Sequence, residues 1–173
     1  MIHSLRLLTI SLAIFLFAAC SPSAAPEKVS GFSSYLPISL NDQTLQLRLA
    51  LSNDEQAQGL MHHDPLAQDH GMLFIFEQAA QRSFWMRNTK IPLDLGYFDA
   101  AGKLVEIHAL YPFDETPVLS FSSEILMALE MNQGWFKENG IQQGARLDLQ
   151  TILTAIRKRG QSPNKYPLAP TAQ

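Results

Sequence analysis

The segment from residue 84 to residue 94 (FWMRNTKIPLD) holds the densest group of aromatic, cationic, amide and acidic side chains in the sequence. It suggests a surface that binds an anion or a sugar. In this hypothesis Trp85 stacks on an apolar ring face, while Arg87 and Asn88 hydrogen-bond hydroxyls or a carboxylate. Asp94 then orients Arg87. A loop with this many polar groups is more typical of a binding site than a core strand of the same length.

The same segment also fits a structural corner without a ligand. In that alternative Asn88 and Thr89 make the turn, and Pro92 fixes a bend. Trp85 fills the core, and Asp94 accepts hydrogen bonds from loop amides. The residue types alone do not decide between these two alternatives.

Two glutamates outside this segment are further candidates. Glu55 follows Ser52 by three residues, which is the spacing of a capping box, and that local role already explains its carboxylate. Glu130 stands in the apolar run ILMALEM, where a buried carboxylate needs a partner. Arg87 and Lys90 are candidates for that partner. By simple alternation along the strand, Glu130 instead faces solvent.

A pair of carboxyl groups is what a glycosidase uses as acid and base. Asp94 and Glu130 are such a candidate pair, which makes a hydrolase acting on a cell-envelope glycan one alternative. The sequence gives no distance between them. It contains no serine-nucleophile motif and no phosphate loop.

Three histidines, His62, His63 and His70, occur in one loop, but their spacing is not that of a metal site. Adjacent side chains diverge along an extended chain, and a zinc site needs three or four converging ligands. We therefore expect solvated histidines, no metal and no cofactor.

Residues 1–19 have the three parts of a signal peptide: a weakly positive start with Arg6, an apolar run, and two alanines before Cys20. The apolar run is shorter than the roughly 20 residues of a membrane-spanning helix. Its ending resembles the lipobox of bacterial lipoproteins, in which the cysteine thiol carries a lipid. Phe17 departs from that pattern, because an aliphatic residue is commoner at this position.

Lipid attachment at Cys20 would anchor the protein to a membrane, and Ser21 implies sorting to the outer membrane, with the domain facing the periplasm. Residues 20–34, rich in Ser, Pro and Ala, are then a flexible tether. The alternative is an ordinary signal peptide and a soluble periplasmic protein. The chain has one cysteine, which cannot form an internal disulfide, and lipidation would leave no thiol for catalysis.

The composition is that of a globular protein, with 173 residues, of which 46% are hydrophobic and 17% charged. A formal net charge of −3 gives no electrostatic reason to expect nucleic acid, which favours a basic surface. The partners that the sequence indicates are the membrane, through Cys20, and an envelope protein or glycan.

Apolar runs separated by turn residues predict a chain of short strands. In the run from residue 44 to residue 51, every second residue is a leucine, so one face of this strand is buried. The other predicted strands are 72–77, buried on both faces, 82–86, 93–99, 103–111 and 125–131, with a hairpin turn at 100–102 and the start of a strand at 146–149.

Helices are few and short. One follows the capping box and ends near Gly59, one turn covers 135–139, and one covers 151–159. The pattern predicts a mostly β fold with short helices (α+β), arranged as a compact single-domain β-barrel or sandwich. We expect the globular domain at 35–159 and a disordered tail at 160–173.

Several motifs together resemble one family. They are Gly59-Leu60-Met61, the runs from Gly71 to Phe76 and from Phe84 to Asp94, and shorter matches beginning at Gly102, Leu129 and Gly140. From about residue 40 to residue 149 the chain resembles the domain of unknown function 192 family. The resemblance implies a small, β-rich, often exported domain and no particular biochemical role. His63 stands where the family usually has Arg, and Arg87 where Lys is commoner.

The sequence thus favours a non-enzymatic binding or accessory domain of the cell envelope, anchored by lipid, without deciding whether it catalyses a reaction. Its candidate ligand surface comprises Trp85, Arg87, Asn88, Asp94, Glu55 and Glu130. A third alternative is a protein that stabilises another envelope protein through an apolar patch.

Overall fold

The computed structural model describes residues 30–169. The predicted signal peptide 1–19, Cys20 and the tether up to residue 29 lie outside the described residues, as do residues 170–173 of the predicted tail. None of the helices in the described part has the length and apolar character to cross a membrane.

The described chain contains eight strands and three short α-helices. The strands are Leu36–Leu40 (β1), Gln43–Ala50 (β2), His70–Ala80 (β3), Ser83–Phe84 (β4), Leu93–Phe98 (β5), Leu104–Leu110 (β6), Val118–Leu119 (β7) and Ile125–Asn132 (β8). The helices are Asn53–Gln58 (α1), Trp135–Glu138 (α2) and Leu149–Lys158 (α3), followed by a 3-10 turn at Pro163–Lys165. The prediction of a mostly β fold with short helices is confirmed.

Six strands form one mixed sheet in the order β1-β2-β3-β8-β5-β6, and β4 and β7 form a separate small sheet. The β2–β3 pair is parallel, and the other pairs are antiparallel. A parallel pair needs a crossover connection, and here that connection contains α1. This crossover was not predicted, because α1 has only six residues.

The expectation of a closed barrel is wrong. Strands β1 and β6 are the two edges of the main sheet and do not pair with each other. Single bridges, Leu40 with Leu147 and Lys103 with Arg146, connect these edges to the segment before α3. A sandwich is not formed either, because the second sheet has only two strands of two residues each. Periodicity shows which side chains are buried but not which strands become edges.

Each face of the main sheet is covered by its own hydrophobic cluster. The first cluster packs the sheet against α2 and α3, whose buried residues include Trp135, Phe136, Ile152 and Ile156. The second lies on the opposite face, beneath the loops around Leu60 and Met86, with Met72, Phe74, Leu95 and Tyr97 at its centre. The leucines of β2 belong to the first cluster, as their alternation predicted.

The predicted capping box is confirmed and fixes the start of α1. The Glu55 amide donates to Ser52 Oγ at 3.2 Å, and Glu55 Oε2 accepts from the amides of Ser52 at 3.1 Å and Leu51 at 2.8 Å. The helix ends at Gly59, whose φ of +48° lies in the region that favours glycine.

Both ends of the described chain pack more closely than predicted. The Ser30 amide donates to the Lys158 carbonyl at 2.8 Å, and Phe32 packs against the second cluster, so residues 30–34 are not a free tether. In the predicted disordered tail, Tyr166 is 4% exposed, and the Ala169 amide donates to the Ala100 carbonyl at 2.9 Å. Within residues 160–169, which the prediction placed in a disordered tail, one buried tyrosine thus packs the chain against the domain despite two prolines.

Three strand predictions differ from the structure. The predicted strand 82–86 is only two residues long, and residues 146–149 make isolated bridges and then enter α3. Strand β1 was not predicted, because Pro37 is unusual in a strand. Proline is tolerated there because β1 lies at the edge of the sheet.

Candidate ligand-binding site

A cleft of about 440 Å³ opens on the face of the sheet that carries the second cluster. Its walls are the end of α1 and the turn after it, the second half of β3, the β3–β4 turn, and the segment at Trp85. The side chains that line it include Gln56, Gln58, Leu60, Met61, Phe74, Phe76, Gln81, Arg82, Ser83, Phe84, Trp85, Thr89 and Glu130. We call it the Glu130 cleft.

An irregular stretch of β3 contributes to this opening. Ile75 pairs with Met127 and Ala80 pairs with Ile125, so four residues of β3 oppose one residue of β8. Such a bulge bends its strand away from the partner. The bulged stretch includes Phe76, and the chain after it brings Gln81 and Arg82 into the wall of the cleft.

Glu130 is the only carboxylic acid among the described residues that line the cleft. In β8 it lies opposite Met72 of β3 and Leu95 of β5, both fully buried apolar residues. Its side chain is 4% exposed, and its Oε2 has no hydrogen-bond partner. Burial raises the pKa of Glu130 to about 8. The group is therefore mostly neutral at pH 7.

Aromatic rings line the same cleft as this carboxyl group. Phe74 and Phe84 meet edge to face with ring centroids 4.9 Å apart. The guanidinium carbon of Arg82 lies 3.7 Å from the centre of the Phe76 ring. Trp85 is 45% exposed at the rim, and Arg87 lies above its ring at 5.6 Å. A rim tryptophan beside a polar base is an arrangement typical of ligand sites.

Several polar side chains of the wall already use their hydrogen-bond donors within the protein. Gln56 Nε2 donates to the Ile75 carbonyl at 3.0 Å, and Gln81 Nε2 donates to the Ser120 carbonyl at 2.7 Å. Arg82 donates to the carbonyls of Gln78 and Ile125, and the Thr89 hydroxyl donates to the Arg87 carbonyl at 3.2 Å. Among the described residues that line the cleft, the buried side-chain polar atom without a hydrogen-bond partner is Glu130 Oε2.

Of the six residues predicted as a ligand surface, the structure brings Trp85 and Glu130 into the cleft and places Arg87 beside its rim. The expectation that Trp85 fills the core in a structural corner is wrong. Glu130 neither faces bulk solvent nor pairs with Arg87 or Lys90. Lys90 instead forms an exposed ion pair with Asp64 at 2.8 Å.

Asn88 has the role of a turn residue. Its φ is +54°, a conformation that asparagine adopts more readily than most residues. Its carbonyl accepts a hydrogen bond from the His62 amide at 2.8 Å, which joins this turn to the loop after α1. Asn88 thus holds two walls of the cleft together and does not line it.

Asp94 lies on the opposite face of the sheet from Glu130. It pairs with Met131 of β8, and its Oδ2 accepts the Gly134 amide at 2.8 Å. Burial raises its pKa, and hydrogen bonds from the amides of Gly134 and Phe136 partly offset this effect. Asp94 therefore satisfies backbone amides at the start of α2. The expectations that it orients Arg87 and that it pairs with Glu130 for hydrolysis are both wrong.

Glu55 also lies outside the cleft. Besides its capping bonds, its Oε1 forms an ion pair with Arg159 at the end of α3, and Arg159 also donates to the Leu49 carbonyl. Burial, the largest single influence, works to raise the pKa of Glu55. The hydrogen bonds from Leu51 and Ser52 and the charge of Arg159 together lower it. Glu55 thus joins the start of α1 to the end of α3 and does not line the cleft.

Most of the cleft wall, including Gln56, Phe74, Phe76 and Arg82, was not predicted from the sequence. Two signals pointed to the cleft: Trp85 in the segment 84–94, and a glutamate inside an apolar strand. Among residues 30–169, no three His, Asp or Glu side chains converge as metal ligands.

Comparison with known proteins identifies a family. A family model for the domain of unknown function DUF192, described as "Uncharacterized ACR", matches residues 36–149. A Sinorhizobium meliloti 1021 protein, described as a candidate transcription regulator, is 32% identical; the match covers 68% of this chain and 97% of that one, with a TM-score of 0.62. A Novosphingobium aromaticivorans DSM 12444 protein of unknown function is 31% identical, with 72% and 94% coverage and a TM-score of 0.65. No curated protein matches. The chain belongs to the DUF192 family.

Proposed function

We propose that this protein is an exported, lipid-anchored domain of the cell envelope that binds a glycan in the Glu130 cleft without catalysing a reaction. The observation that carries the proposal is the buried Glu130 carboxyl, whose Oε2 has no partner, at the base of a cleft with an exposed tryptophan at its rim. Leaving a buried polar atom unpaired costs about 1–3 kcal/mol. A ligand that hydrogen-bonds to Glu130 would recover that free energy.

A saccharide suits this cleft in size and chemistry. Ligand pockets usually measure about 300–1,000 Å³, and this one is about 440 Å³. One face of a sugar ring is apolar and stacks on an aromatic side chain such as Trp85. Its hydroxyls are donors, and Glu130 Oε2, which has no partner within the protein, is an acceptor that would receive one of them.

Binding without turnover is favoured because the cleft does not assemble a catalytic pair. General acid–base hydrolysis of a glycoside uses two carboxyl groups on either side of the bond. Among the described residues Glu130 is the only carboxyl group in the cleft, and Asp94 lies across the sheet. No histidine lines the cleft within residues 30–169.

Calorimetric titration of the full-length protein in detergent with soluble fragments of envelope glycans tests the proposal. We expect saturable binding that Trp85→Ala weakens by about tenfold or more, which corresponds to about 1.4 kcal/mol or more of lost binding free energy. Asp94→Asn is the matched control, since this buried acid lies on the other face. The proposal fails if no fragment binds at millimolar concentration, or if both variants weaken binding equally.

The envelope location is proposed from the leader alone. A Cys20→Ser variant should leave the membrane fraction and appear in the soluble periplasmic fraction, because a lipid on Cys20 would be its anchor. A variant that still fractionates with membranes would contradict lipid anchoring at this residue.

An accessory role toward another envelope protein is the second candidate, and the loop from residue 111 to residue 121 favours it. This loop carries four exposed large apolar side chains, Tyr111, Phe113, Leu119 and Phe121, the last 87% exposed. Exposed apolar groups that cluster on one loop mark interaction surfaces more often than scattered ones do. Crosslinking in the native envelope tests this role. A single partner protein should be captured by the wild type and lost in Phe121→Ser, and Glu115→Ser is the control in the same loop.

A further inference from the structure

We infer that the ligand of the Glu130 cleft carries a protonated alkyl amine, which contacts the aromatic rings and donates hydrogen bonds to Glu130. The inference rests on the glycan-binding function proposed above and specifies the chemistry of its ligand. An amino-bearing glycan is the class of compound that combines both properties.

The first observation concerns the polar groups of the cleft. The side-chain amides of Gln56 and Gln81 and the guanidinium of Arg82 donate to backbone carbonyls. At the base of the cleft, the buried Oε2 of Glu130 has no hydrogen-bond partner. An ammonium group, which offers three donors and no acceptor, is the complement of that carboxylate.

The second observation is that several aromatic rings line a cleft whose one carboxyl group, among the described residues, is the buried Glu130. A cation gains about 0.5–2 kcal/mol when it lies against an aromatic ring, and more when it is desolvated. In the wall of the cleft, the guanidinium of Arg82 already stacks on the Phe76 ring, with its carbon 3.7 Å from the ring centre. The rings of Phe84 and Trp85 lie in the same cleft and are partly exposed to it.

The third observation is that Glu130 has no counter-charge. No ion pair joins it to a cation among residues 30–169, and its Oε2 is buried without a partner. The ionisable groups of the neighbouring elements are His70 and Glu77 of β3, Arg82 of the β3–β4 turn, and Asp94 and Tyr97 of β5. Asp94 lies on the other face of the sheet, and none of His70, Glu77 and Asp94 lines the cleft. Arg82 is bonded to backbone carbonyls, and the Tyr97 hydroxyl donates to the Val118 carbonyl at 2.9 Å. An ammonium ligand would supply the missing charge.

Binding would then be coupled to one proton transfer. The neutral carboxyl of Glu130 loses its proton to solvent, and the resulting carboxylate pairs with the ligand's ammonium group, which keeps all its protons. Because the pKa of Glu130 is about 8 in the empty cleft, binding at pH 7 should release about one proton per ligand. A neutral ligand would release none.

The test uses two matched probes on the full-length protein: a 2-aminoethyl glycoside of N-acetylglucosamine and the same compound with its alkyl amine acetylated. The pKa of an alkyl amine lies well above 8, so the ligand stays charged between pH 6 and pH 8. Calorimetry at pH 7 in two buffers of different ionisation enthalpy gives the affinity and the number of protons released.

We expect the amine to bind about tenfold more tightly than the acetylated probe, with release of about one proton, and to bind more tightly at pH 8 than at pH 6. Glu130→Gln should remove both the proton release and the preference for the amine. Asp94→Asn should change neither. The proton release of the wild type is decisive even if Glu130→Gln folds poorly.

Two results would overturn the inference in different ways. Equal affinity for the two probes without proton release would refute the amine and leave glycan binding standing. Failure of both probes and of all envelope fragments to bind at millimolar concentration would refute the proposed function, and the amine with it.

Discussion

Asp94 and Glu130 lie on opposite faces of one sheet, although their strands β5 and β8 are neighbours. Glu130 is opposite Leu95 in the antiparallel register, and Asp94 is opposite Met131. Side chains alternate between faces along a strand, so this one-residue offset separates the two carboxyl groups. Asp94 accepts hydrogen bonds from backbone amides beside α2, and Glu130 lies in the cleft, where its Oε2 has no partner.

The burial of Glu130 predicts an unusual dependence of stability on pH. Its pKa is 4.5 in an unfolded chain and about 8 in the fold. Between these values the folded state holds a proton that the unfolded state has released, so stability falls as pH rises from about 4.5 to about 8. The full effect is up to about 5 kcal/mol. Glu130→Gln should remove this loss, so that its advantage over the wild type grows with pH.

Urea unfolding at several pH values measures this effect. Asp54→Asn, which removes an exposed acid of α1, is the control for the loss of one carboxyl group. If the wild type and Glu130→Gln show the same change in unfolding free energy between pH 5 and pH 8, then Glu130 is ionised in the folded protein at neutral pH.

Two substitutions of Asp94 should differ in their effect on stability. Asp94→Ala leaves the Gly134 amide without its acceptor and should cost about 1–3 kcal/mol of stability. Asp94→Asn keeps an acceptor oxygen in the same place and should cost less. Thermal unfolding of the two variants checks this order. Equal losses would show that the charge, not the hydrogen bond, holds the start of α2.

The ion pair between Glu55 and Arg159 should stabilise the fold strongly because both side chains are largely buried, 19% and 7% exposed. Removing one partner of a buried pair typically costs about 3–5 kcal/mol, and we expect this range for Glu55→Ala. The pKa of Glu55 lies below 4.5 in the fold. Its contribution is therefore fully present above about pH 4.5 and is lost as pH falls through the lowered pKa.

The exposed pair of Asp64 and Lys90 is the matched control for that experiment, with side chains 86% and 50% exposed. Asp64→Ala should leave the unfolding midpoint in urea almost unchanged, since solvent screens an exposed pair. A loss for Glu55→Ala as small as for Asp64→Ala would mean that Arg159 finds another acceptor.

Local patterns in the sequence were enough to predict the secondary structure that depends on near neighbours. The leucine alternation of β2, the capping box at Ser52 and the glycine end of α1 are all confirmed. Each depends on contacts within a few residues, which periodicity and capping rules describe. The Tyr166 contact with the core is not local, because its hydroxyl bonds the Leu51 carbonyl from 115 residues away.

The candidate site also combines a feature visible in the sequence with features that depend on long-range contacts. A glutamate in an apolar strand is unusual in the sequence, and the structure places Glu130 in the cleft. Its surroundings depend on the strand order, which brings α1 and β3 beside it through the parallel crossover. Whether Asp94 faces Glu130 depends on the register of β5 against β8. A shift of one residue in this register would place the two carboxyl groups on the same face. The sequence of neither strand determines the register.

The turn at Asn88 predicts that its backbone conformation, not its amide group, is what the fold requires. Asn88→Gly should fold with nearly the same stability, since glycine adopts a φ of +54° without a steric cost. Asn88→Val should lose about 1–2 kcal/mol, because a β-branched residue is strained in this region. Arg87→Val, at an exposed neighbour outside the left-handed region, is the control. Thermal unfolding gives the comparison, and equal midpoints for the two valine variants would refute the assignment of Asn88 as a turn residue. Glycan binding by Asn88→Gly should match the wild type, because the side chain does not line the cleft.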